Sequence, residues 1–144
     1  MDLRKITPDF AVAPQITLED VAAIAAAGFR TLVNNRPDDE IGAELEAAAM
    51  EKAALAAGLT YRHLPFWPGQ MTPDLVEGFE AALAECPAPV LAYCRSGTRS
   101  SNLWAMAQAG HLEIETILSA TADAGYDLSA LVPALTARAA SREA

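Results

Sequence analysis

The chain alternates short apolar runs with longer stretches in which apolar residues recur at helical spacing. Apolar runs of four or five residues, bounded by glycine, proline or polar residues, are typical of buried strands. The prolines between residues 65 and 69 predict a loop after one of these runs, because proline cannot donate to a sheet ladder. Strands are predicted at the apolar runs 30–34 and 89–93, at the shorter run 10–12, and at residues 60–64, where polar and apolar residues alternate.

Helical stretches separate these strands. Thr17 and Asp20 have the spacing of a capping box at a helix start, and Gly28 is the predicted end of that helix. Thr72 followed by Pro73 marks the start of another helix. Helices are predicted at residues 17–28, about 40–57, 72 to about 85, about 100–110, 113–124 and 128–140.

Repeated strand–helix units predict an α/β fold. Such units build a mostly parallel central sheet, here of four to five strands, with helices on both faces. The 144 residues suggest a single domain that spans residues 1–144. Its core is predicted at about 5–130, followed by a C-terminal helix and a short frayed tail.

The composition narrows the classes of function. The net charge of −9 disfavours nucleic acid and anionic membranes as partners, because both require a basic surface. Two cysteines make no disulfide framework in a chain of this length, and the first residues lack the apolar run of a signal peptide. We therefore expect a reduced, cytoplasmic protein. With two histidines and no clustered cysteines, neither a metal site nor a cofactor is expected.

The segment after the last predicted strand carries the strongest chemical signal. Cys94 ends that strand, and a helix is predicted to begin within a turn of it. A helix N-terminus and cationic neighbours favour the thiolate, which is the nucleophilic form of cysteine. Serine and glycine let the backbone curl so that successive N–H groups form a nest for an anion. Cys94 is predicted as the nucleophile and Arg99 as the catalytic cation, with substrate-binding positions at Arg95, Ser96, Gly97, Thr98 and Ser100.

Polar residues follow another predicted strand at the same edge of the sheet. Asn35 is a candidate to brace the cysteine loop, with loop capping as the alternative. Arg36 is a candidate to bind an anionic group of the substrate, with a solvated surface arginine as the alternative. Residues 38–40 are acidic and are interpreted as a charge cluster favoured by a helix dipole. His63 is interpreted as a packed histidine and Cys86 as a structural cysteine.

Residues 93–100, Tyr-Cys-Arg-Ser-Gly-Thr-Arg-Ser, closely resemble the active-site loop of rhodanese sulfurtransferases, whose cysteine carries a persulfide. Four residues separate Cys94 from Arg99, one fewer than in protein tyrosine phosphatases, whose larger loop holds a phosphate. The rest of the chain is similar to the dual-specificity phosphatase scaffold. The combination resembles a bacterial family of phosphatase-like sulfurtransferases, which occur alone or fused to metallo-β-lactamase-like persulfide dioxygenases. Residues 34–38, 101–104 and 124–128 also match its pattern.

One departure from dual-specificity phosphatases bears on the chemistry. That family carries a general-acid aspartate just after the strand equivalent to residues 61–64. Here the sequence continues Pro-Phe-Trp-Pro, and no acid follows until Asp74. Hydrolysis of a phosphate ester needs protonation of the leaving group, and sulfur transfer between thiols needs it less.

The resemblance therefore implies a sulfurtransferase that passes sulfane sulfur through a persulfide on Cys94. The expected donors are thiosulfate, glutathione persulfide or a protein persulfide, and a persulfide dioxygenase is an expected partner. The alternative is a cysteine-dependent phosphatase that acts through a phosphocysteine. A second alternative is a non-catalytic module that binds or docks persulfides.

Overall fold

A computed structural model describes residues 1–143 of the chain. A five-stranded sheet forms its centre, in the spatial order β1-β2-β5-β3-β4. All neighbouring strands are parallel except β1, which is antiparallel to β2. The mostly parallel α/β sheet predicted from the sequence is thus confirmed. Its strands are β1 (Arg4–Thr7), β2 (Phe10–Ala13), β3 (Thr31–Asn34), β4 (Thr60–His63) and β5 (Val90–Tyr93).

The sequence pattern missed strand β1. Only Ile6 of its four residues is buried, because β1 lies at the edge of the sheet and shows a single apolar position to the core. Its pairing with β2 across a tight turn is antiparallel, a local arrangement that needs no crossover helix. An edge strand of this kind has too little hydrophobic periodicity to be recognised in a sequence.

Six α-helices cover the sheet. The predicted capping box of α1 is present: the Thr17 hydroxyl accepts from the Asp20 N–H at 3.2 Å, and the Asp20 carboxylate accepts from the Thr17 N–H at 2.9 Å. Thr72 likewise caps α3 and accepts from the Leu75 N–H at 3.2 Å. The helices are α1 (Leu18–Ala26), α2 (Ala47–Ala56), α3 (Pro73–Glu85), α4 (Thr98–Gln108), α5 (Ile114–Asp123) and α6 (Val132–Glu143).

The helix predicted at residues 40–57 is wrong over residues 40–46. Two 3₁₀ turns, Asp38–Glu40 and Ala43–Leu45, precede α2. The carboxylate of Asp38 accepts from the Ala47 N–H at 2.8 Å. A side chain from the first 3₁₀ turn therefore caps the N-terminus of α2. The alanine-rich composition predicted helix throughout, whereas tertiary contacts fix the acidic residues in a turn.

Two other helix boundaries differ from the prediction. Helix α4 begins at Thr98, inside the predicted loop and two residues before the expected start. Helix α6 begins at Val132 after a 3₁₀ turn and continues through Glu143. Of the predicted frayed tail, Ala144 lies outside the described residues.

The two faces of the sheet carry separate apolar clusters. Val12, Val33 and Ala92 face one cluster, where Phe10 stacks on Trp104 with ring centroids 5.9 Å apart. Ala11, Leu32 and Leu91 face the other, which helices α1 and α2 close with Ile24 and Met50. Helices on both faces therefore bury β2, β3 and β5, and the loops at the carboxyl end of these strands stand on a packed base.

Candidate active site

Cys94 lies at the carboxyl edge of the parallel sheet, directly after β5. Its side chain is fully buried, and its N–H donates to the carbonyl of Ala13 at the end of β2, at 3.4 Å. On the other side, the Asn35 N–H donates to the carbonyl of Tyr93 at 2.8 Å. The ends of three neighbouring strands therefore meet around Cys94, where ligands bind in open parallel sheets.

The loop that follows Cys94 turns back toward its sulfur. The Gly97 N–H donates to Cys94 Sγ at 3.1 Å. Gly97 has φ of 93° and is the N-cap of α4, a left-handed conformation that favours glycine. Because α4 begins at the next residue, the positive end of its dipole lies at this loop. An N–H donor and a helix N-terminus are features that stabilise a cysteine thiolate in proteins.

Arg99 is held by two other segments of the chain. Its Nη1 and Nη2 donate to the two carboxylate oxygens of Glu40 at 2.9 and 2.7 Å, and Nη1 also donates to the Phe66 carbonyl at 2.6 Å. The guanidinium beside it holds the pKa of Glu40 below its ordinary value, and the same carboxylate raises the pKa of Arg99. Both groups are therefore charged at neutral pH, and the pair fixes where the cation sits.

Arg36 contacts Glu40, the acidic partner in this ion pair. Its guanidinium donates to the Glu40 carbonyl at 2.8 Å and to Gln15 Oε1 at 3.1 Å, and its Nε lies 3.5 Å from the Glu40 carboxylate. The Gln15 N–H in turn donates to the carbonyl of Arg95 at 3.2 Å. Arg36 thus lies beside the predicted site, and its donors hold the turn that carries Glu40.

Asn35 and Ser100 bond to each other beneath the loop. Both side chains are fully buried, and the Ser100 hydroxyl donates to Asn35 Oδ1 at 2.8 Å. Asn35 Nδ2 donates to the Leu64 carbonyl at 2.9 Å. The amide therefore ties the start of α4 to the segment after β4. The sequence placed these two residues at one site, and the structure brings them into contact.

The remaining predicted substrate-binding residues lie on the outer side of the loop. Arg95, Ser96 and Thr98 are exposed, and the Ser96 hydroxyl donates to Thr98 Oγ1 at 3.1 Å. The exposed position of Arg95 contrasts with that of Arg99, whose side chain is 14% exposed. Of the two arginines in the cysteine loop, Arg99 is the one held by contacts with other segments of the chain.

Sequence reasoning missed three residues at this site. Glu40 was interpreted as part of a helix charge cluster, and Gln15 and Tyr126 were given no role. The signal for Glu40 was its place in the loop that follows β3, a strand that ends beside β5 and Cys94. Tyr126 donates from its hydroxyl to the Ser96 carbonyl at 3.1 Å, a contact between residues 30 positions apart that no local pattern reveals.

An acid also lies close to the segment that contacts Arg99. Trp67, which is 46% exposed, follows the residue whose carbonyl contacts Arg99, and its indole N–H lies 3.2 Å from both carboxylate oxygens of Asp39. The sequence segment after β4 holds no acid until Asp74, but the fold brings Asp39 to that segment from another loop. The lack of an acid in the segment after β4 therefore does not exclude an acid beside that segment in the folded protein.

Two other residues lie as the sequence suggested. His63 is partly buried, and its Nε2 lies 3.0 Å from the Arg36 carbonyl. Cys86 is a buried free cysteine at the end of α3. Within residues 1–143, no three metal-ligating side chains lie close enough together to hold an ion. None of the described helices has the length and apolar character needed to span a membrane.

Comparison with known proteins assigns the fold to a family. A family model described as "Beta-lactamase hydrolase-like protein, phosphatase-like domain" matches residues 2–111. The chain belongs to this family of phosphatase-like domains. A curated relative, the beta-lactamase hydrolase-like protein of Agrobacterium fabrum, is 30% identical over 128 residues, which cover 88% of the chain. The chain spans 30% of the length of that relative.

Solved structures agree with this assignment. A candidate phosphatase from Neisseria meningitidis superposes with a TM-score of 0.83 and 31% identity, covering 96% of this chain and 99% of the other. The active form of the phosphatase Tk-PTP superposes with a TM-score of 0.70 and 17% identity, covering 98% and 97%. The phosphatase-like domain therefore has the tyrosine and dual-specificity phosphatase fold expected from the sequence, with its cysteine loop at the carboxyl edge of the parallel strands.

Proposed function

We propose that this phosphatase-like domain is a sulfurtransferase that carries sulfane sulfur as a persulfide on Cys94. The observation that supports the proposal is the short loop around Cys94 Sγ. Four residues separate Cys94 from Arg99, and the Gly97 N–H lies 3.1 Å from Sγ. A loop this tight suits an anion the size of one sulfur atom next to Sγ, where N–H groups and a helix dipole stabilise negative charge.

The reaction needs two displacements at sulfur. The Cys94 thiolate attacks the outer sulfur of the donor, a new S–S bond forms, and the donor's own S–S bond breaks. The electron pair of that bond leaves with sulfite from thiosulfate, or with the thiolate of glutathione from its persulfide. An acceptor thiolate then attacks the terminal sulfur and releases the Cys94 thiolate. No external oxidant or reductant is required.

The charge distribution of the site suits leaving groups of this kind. Sulfite and thiolates leave as anions and need no proton in the transition state. Glu40 is a poor proton donor, because its ion pair with Arg99 holds its pKa below the ordinary value. Arg99 remains charged and is positioned by two carboxylate oxygens and the Phe66 carbonyl. Its part in the proposal is to stabilise the negative terminal sulfur.

A second candidate is a cysteine-dependent phosphatase, and the comparisons favour it. The matched family and the solved structures carry phosphatase descriptions. Asp39 adds a specific observation, because its carboxyl lies beside Trp67, the residue after the one whose carbonyl binds Arg99. In this candidate Sγ attacks phosphorus, the ester oxygen leaves with a proton from Asp39, and water then hydrolyses the phosphocysteine.

Asp39→Asn separates the two candidates. The protein is assayed with thiosulfate and a thiol acceptor, and in parallel with a phosphotyrosine peptide. We expect sulfur transfer to exceed phosphate release, and transfer by Asp39→Asn to stay within about twofold, because no leaving group needs its proton. Asp74→Asn is the matched control, since Asp74 is an exposed acid in the first turn of α3.

Three results would overturn the sulfurtransferase proposal in different ways. Rapid phosphate release that falls about a hundredfold in Asp39→Asn, without sulfur transfer, would establish the phosphatase, since general acids contribute about that much. Sulfur uptake without turnover to any acceptor would indicate the non-catalytic persulfide module. If the protein shows no sulfur transfer and no phosphate release with the tested donors and peptides, both enzyme assignments are rejected for these substrate classes.

A partner follows from the same proposal. The Agrobacterium relative is much longer than this chain, which spans 30% of it. We include in the proposal that the domain exchanges sulfur with a persulfide dioxygenase, as the resemblance to fused proteins of this kind implies. Transfer of labelled sulfur from Cys94 to the glutathione used by such an enzyme would test this step separately from the first displacement.

A further inference from the structure

Tyr126 lies against the cysteine loop although it comes from the connection after α5. Its side chain is buried, and its hydroxyl donates to the carbonyl oxygen of Ser96 at 3.1 Å. The same hydroxyl fills the space where a Cβ of residue 97 would lie, so that any side chain larger than that of Gly97 would collide with it. The position of the Tyr126 hydroxyl therefore requires a glycine at residue 97.

The peptide unit between Ser96 and Gly97 makes two hydrogen bonds in opposite directions. Its carbonyl accepts from Tyr126, and its N–H donates to Cys94 Sγ at 3.1 Å. In a trans peptide the C=O and N–H bonds point opposite ways. Holding the oxygen toward Tyr126 therefore holds the N–H toward the sulfur. The reverse orientation would turn a carbonyl oxygen toward a negatively charged sulfur.

Strand β1 holds Tyr126 in place. The Arg4 guanidinium lies 5.3 Å from the centroid of the Tyr126 ring and donates to the Ala124 carbonyl at 3.1 Å. Burial raises the pKa of the Tyr126 phenol, so the hydroxyl keeps its proton and remains a donor at neutral pH. The edge strand that the sequence did not reveal is thus connected to the reactive loop through one side chain.

We propose that Tyr126 is a positioning residue for Cys94: its hydroxyl fixes the Ser96–Gly97 peptide so that the N–H stabilises the thiolate and the persulfide formed from it. This inference rests on the proposed role of Cys94 as nucleophile. It holds for any group that Cys94 accepts, because the orientation of the peptide precedes the choice of substrate.

Tyr126→Phe tests the inference, because it removes only the hydroxyl. The thiolate of Cys94 is followed by its ultraviolet absorbance against pH, in a Cys86→Ser background that leaves one thiol. We expect a thiolate-to-thiol ratio about three- to tenfold lower at a given pH, the effect of losing one hydrogen bond. Tyr93→Phe is the control, since within residues 1–143 the buried Tyr93 hydroxyl has no hydrogen-bond partner.

The result that would overturn the inference is a thiolate titration in Tyr126→Phe that coincides with that of Tyr93→Phe. Arg4→Leu provides a second variant, which keeps the hydroxyl and removes its support; we expect a smaller change in the same direction. Both measurements are made well below the unfolding temperature of each variant. Because the absorbance reports ionisation alone, it remains decisive even if the sulfur-transfer assay fails.

Discussion

Arg99 and Glu40 form a two-point ion pair between segments 59 residues apart in the chain, with N–O distances of 2.7 and 2.9 Å. The pair is largely shielded from solvent, with side chains 14% and 22% exposed. It links helix α4, which follows Cys94, to the turn after β3. The position of the cation next to Cys94 therefore depends on a carboxylate from a different loop.

Glu40→Gln should lower the efficiency of sulfur transfer about tenfold, because the amide offers Arg99 one acceptor and no charge, and a hydrogen bond to a charged group contributes about 1.5–3 kcal/mol. The measurement is kcat/KM with thiosulfate. Glu44→Gln is the matched control, since Glu44 is exposed on the next turn. An equal loss in both variants would show that Arg99 does not depend on the ion pair.

Arg99 should matter more than Arg95 for an anionic donor. Arg99→Lys keeps the charge but loses the planar donors that bind both oxygens of Glu40, so we expect a drop of about tenfold to a hundredfold in kcat/KM. Arg95→Ala should cost less, because Arg95 is exposed on the outer side of the loop. Steady-state kinetics of the two variants decides the order, and a more damaged Arg95→Ala would reverse our assignment of the two cations.

Gly97→Ala should destabilise the domain by on the order of 3 kcal/mol. Gly97 has φ of 93°, and an added Cβ would collide with the Tyr126 hydroxyl. Gly78→Ala is the opposite case, since Gly78 lies within α3 and its nearest contact for a Cβ is Leu64 at 3.7 Å. That variant should be more stable by about 0.5–1 kcal/mol. Chemical unfolding of both proteins tests the contrast, and similar changes would contradict it.

Glu80 makes the domain less stable as the pH falls into the acidic range. Its carboxylate binds Arg142 at 2.6 Å, His111 at 3.0 Å and Arg138 at 2.7 Å, and these bonds, with Arg142 the largest contribution, lower its pKa from 4.5 to about 2. A lowered pKa gives stability above the ordinary pKa that is lost as the pH falls toward about 2. After screening by solvent, the loss should be about 1–2 kcal/mol.

Thermal unfolding from pH 6 down to about pH 3 measures this dependence. Glu80→Gln should be less stable at pH 6 and should lose less on acidification than the parent protein. Glu77→Gln is the control, because Glu77 is exposed on the same helix. Parallel curves for the parent protein and Glu80→Gln would show that the ion pairs to α6 add no stability.

The sequence predicted the parts of the fold that local patterns determine. Strands β2, β3 and β5 are buried and largely apolar, strand β4 alternates between polar and apolar residues, and Thr17 and Thr72 cap helices through bonds to residues three positions away. Strand β1 was missed because Ile6 is the single apolar residue among its four, so that its sequence has neither an apolar run nor an alternation. The helix predicted from residue 40 failed because Glu40 is held in a turn by Arg99, which no count of alanines can reveal.

The candidate site divides in the same way. Cys94 and the loop to Ser100 are contiguous, so the sequence shows their chemistry directly. Glu40 and Tyr126 reach the loop across long separations and come from segments whose local composition indicates only charge or turn. They could not be predicted because their contacts depend on how the strands are ordered and on which loops meet at the reactive edge.

The central claim is that Cys94 carries the sulfur. The most direct measurement is the intact mass of the protein after incubation with thiosulfate or glutathione persulfide and removal of the donor. We predict one added sulfur that a thiol removes, present in Cys86→Ser and absent in Cys94→Ser. No added sulfur in the parent protein, together with a phosphorylated Cys94 during hydrolysis of a phosphopeptide, would contradict the account.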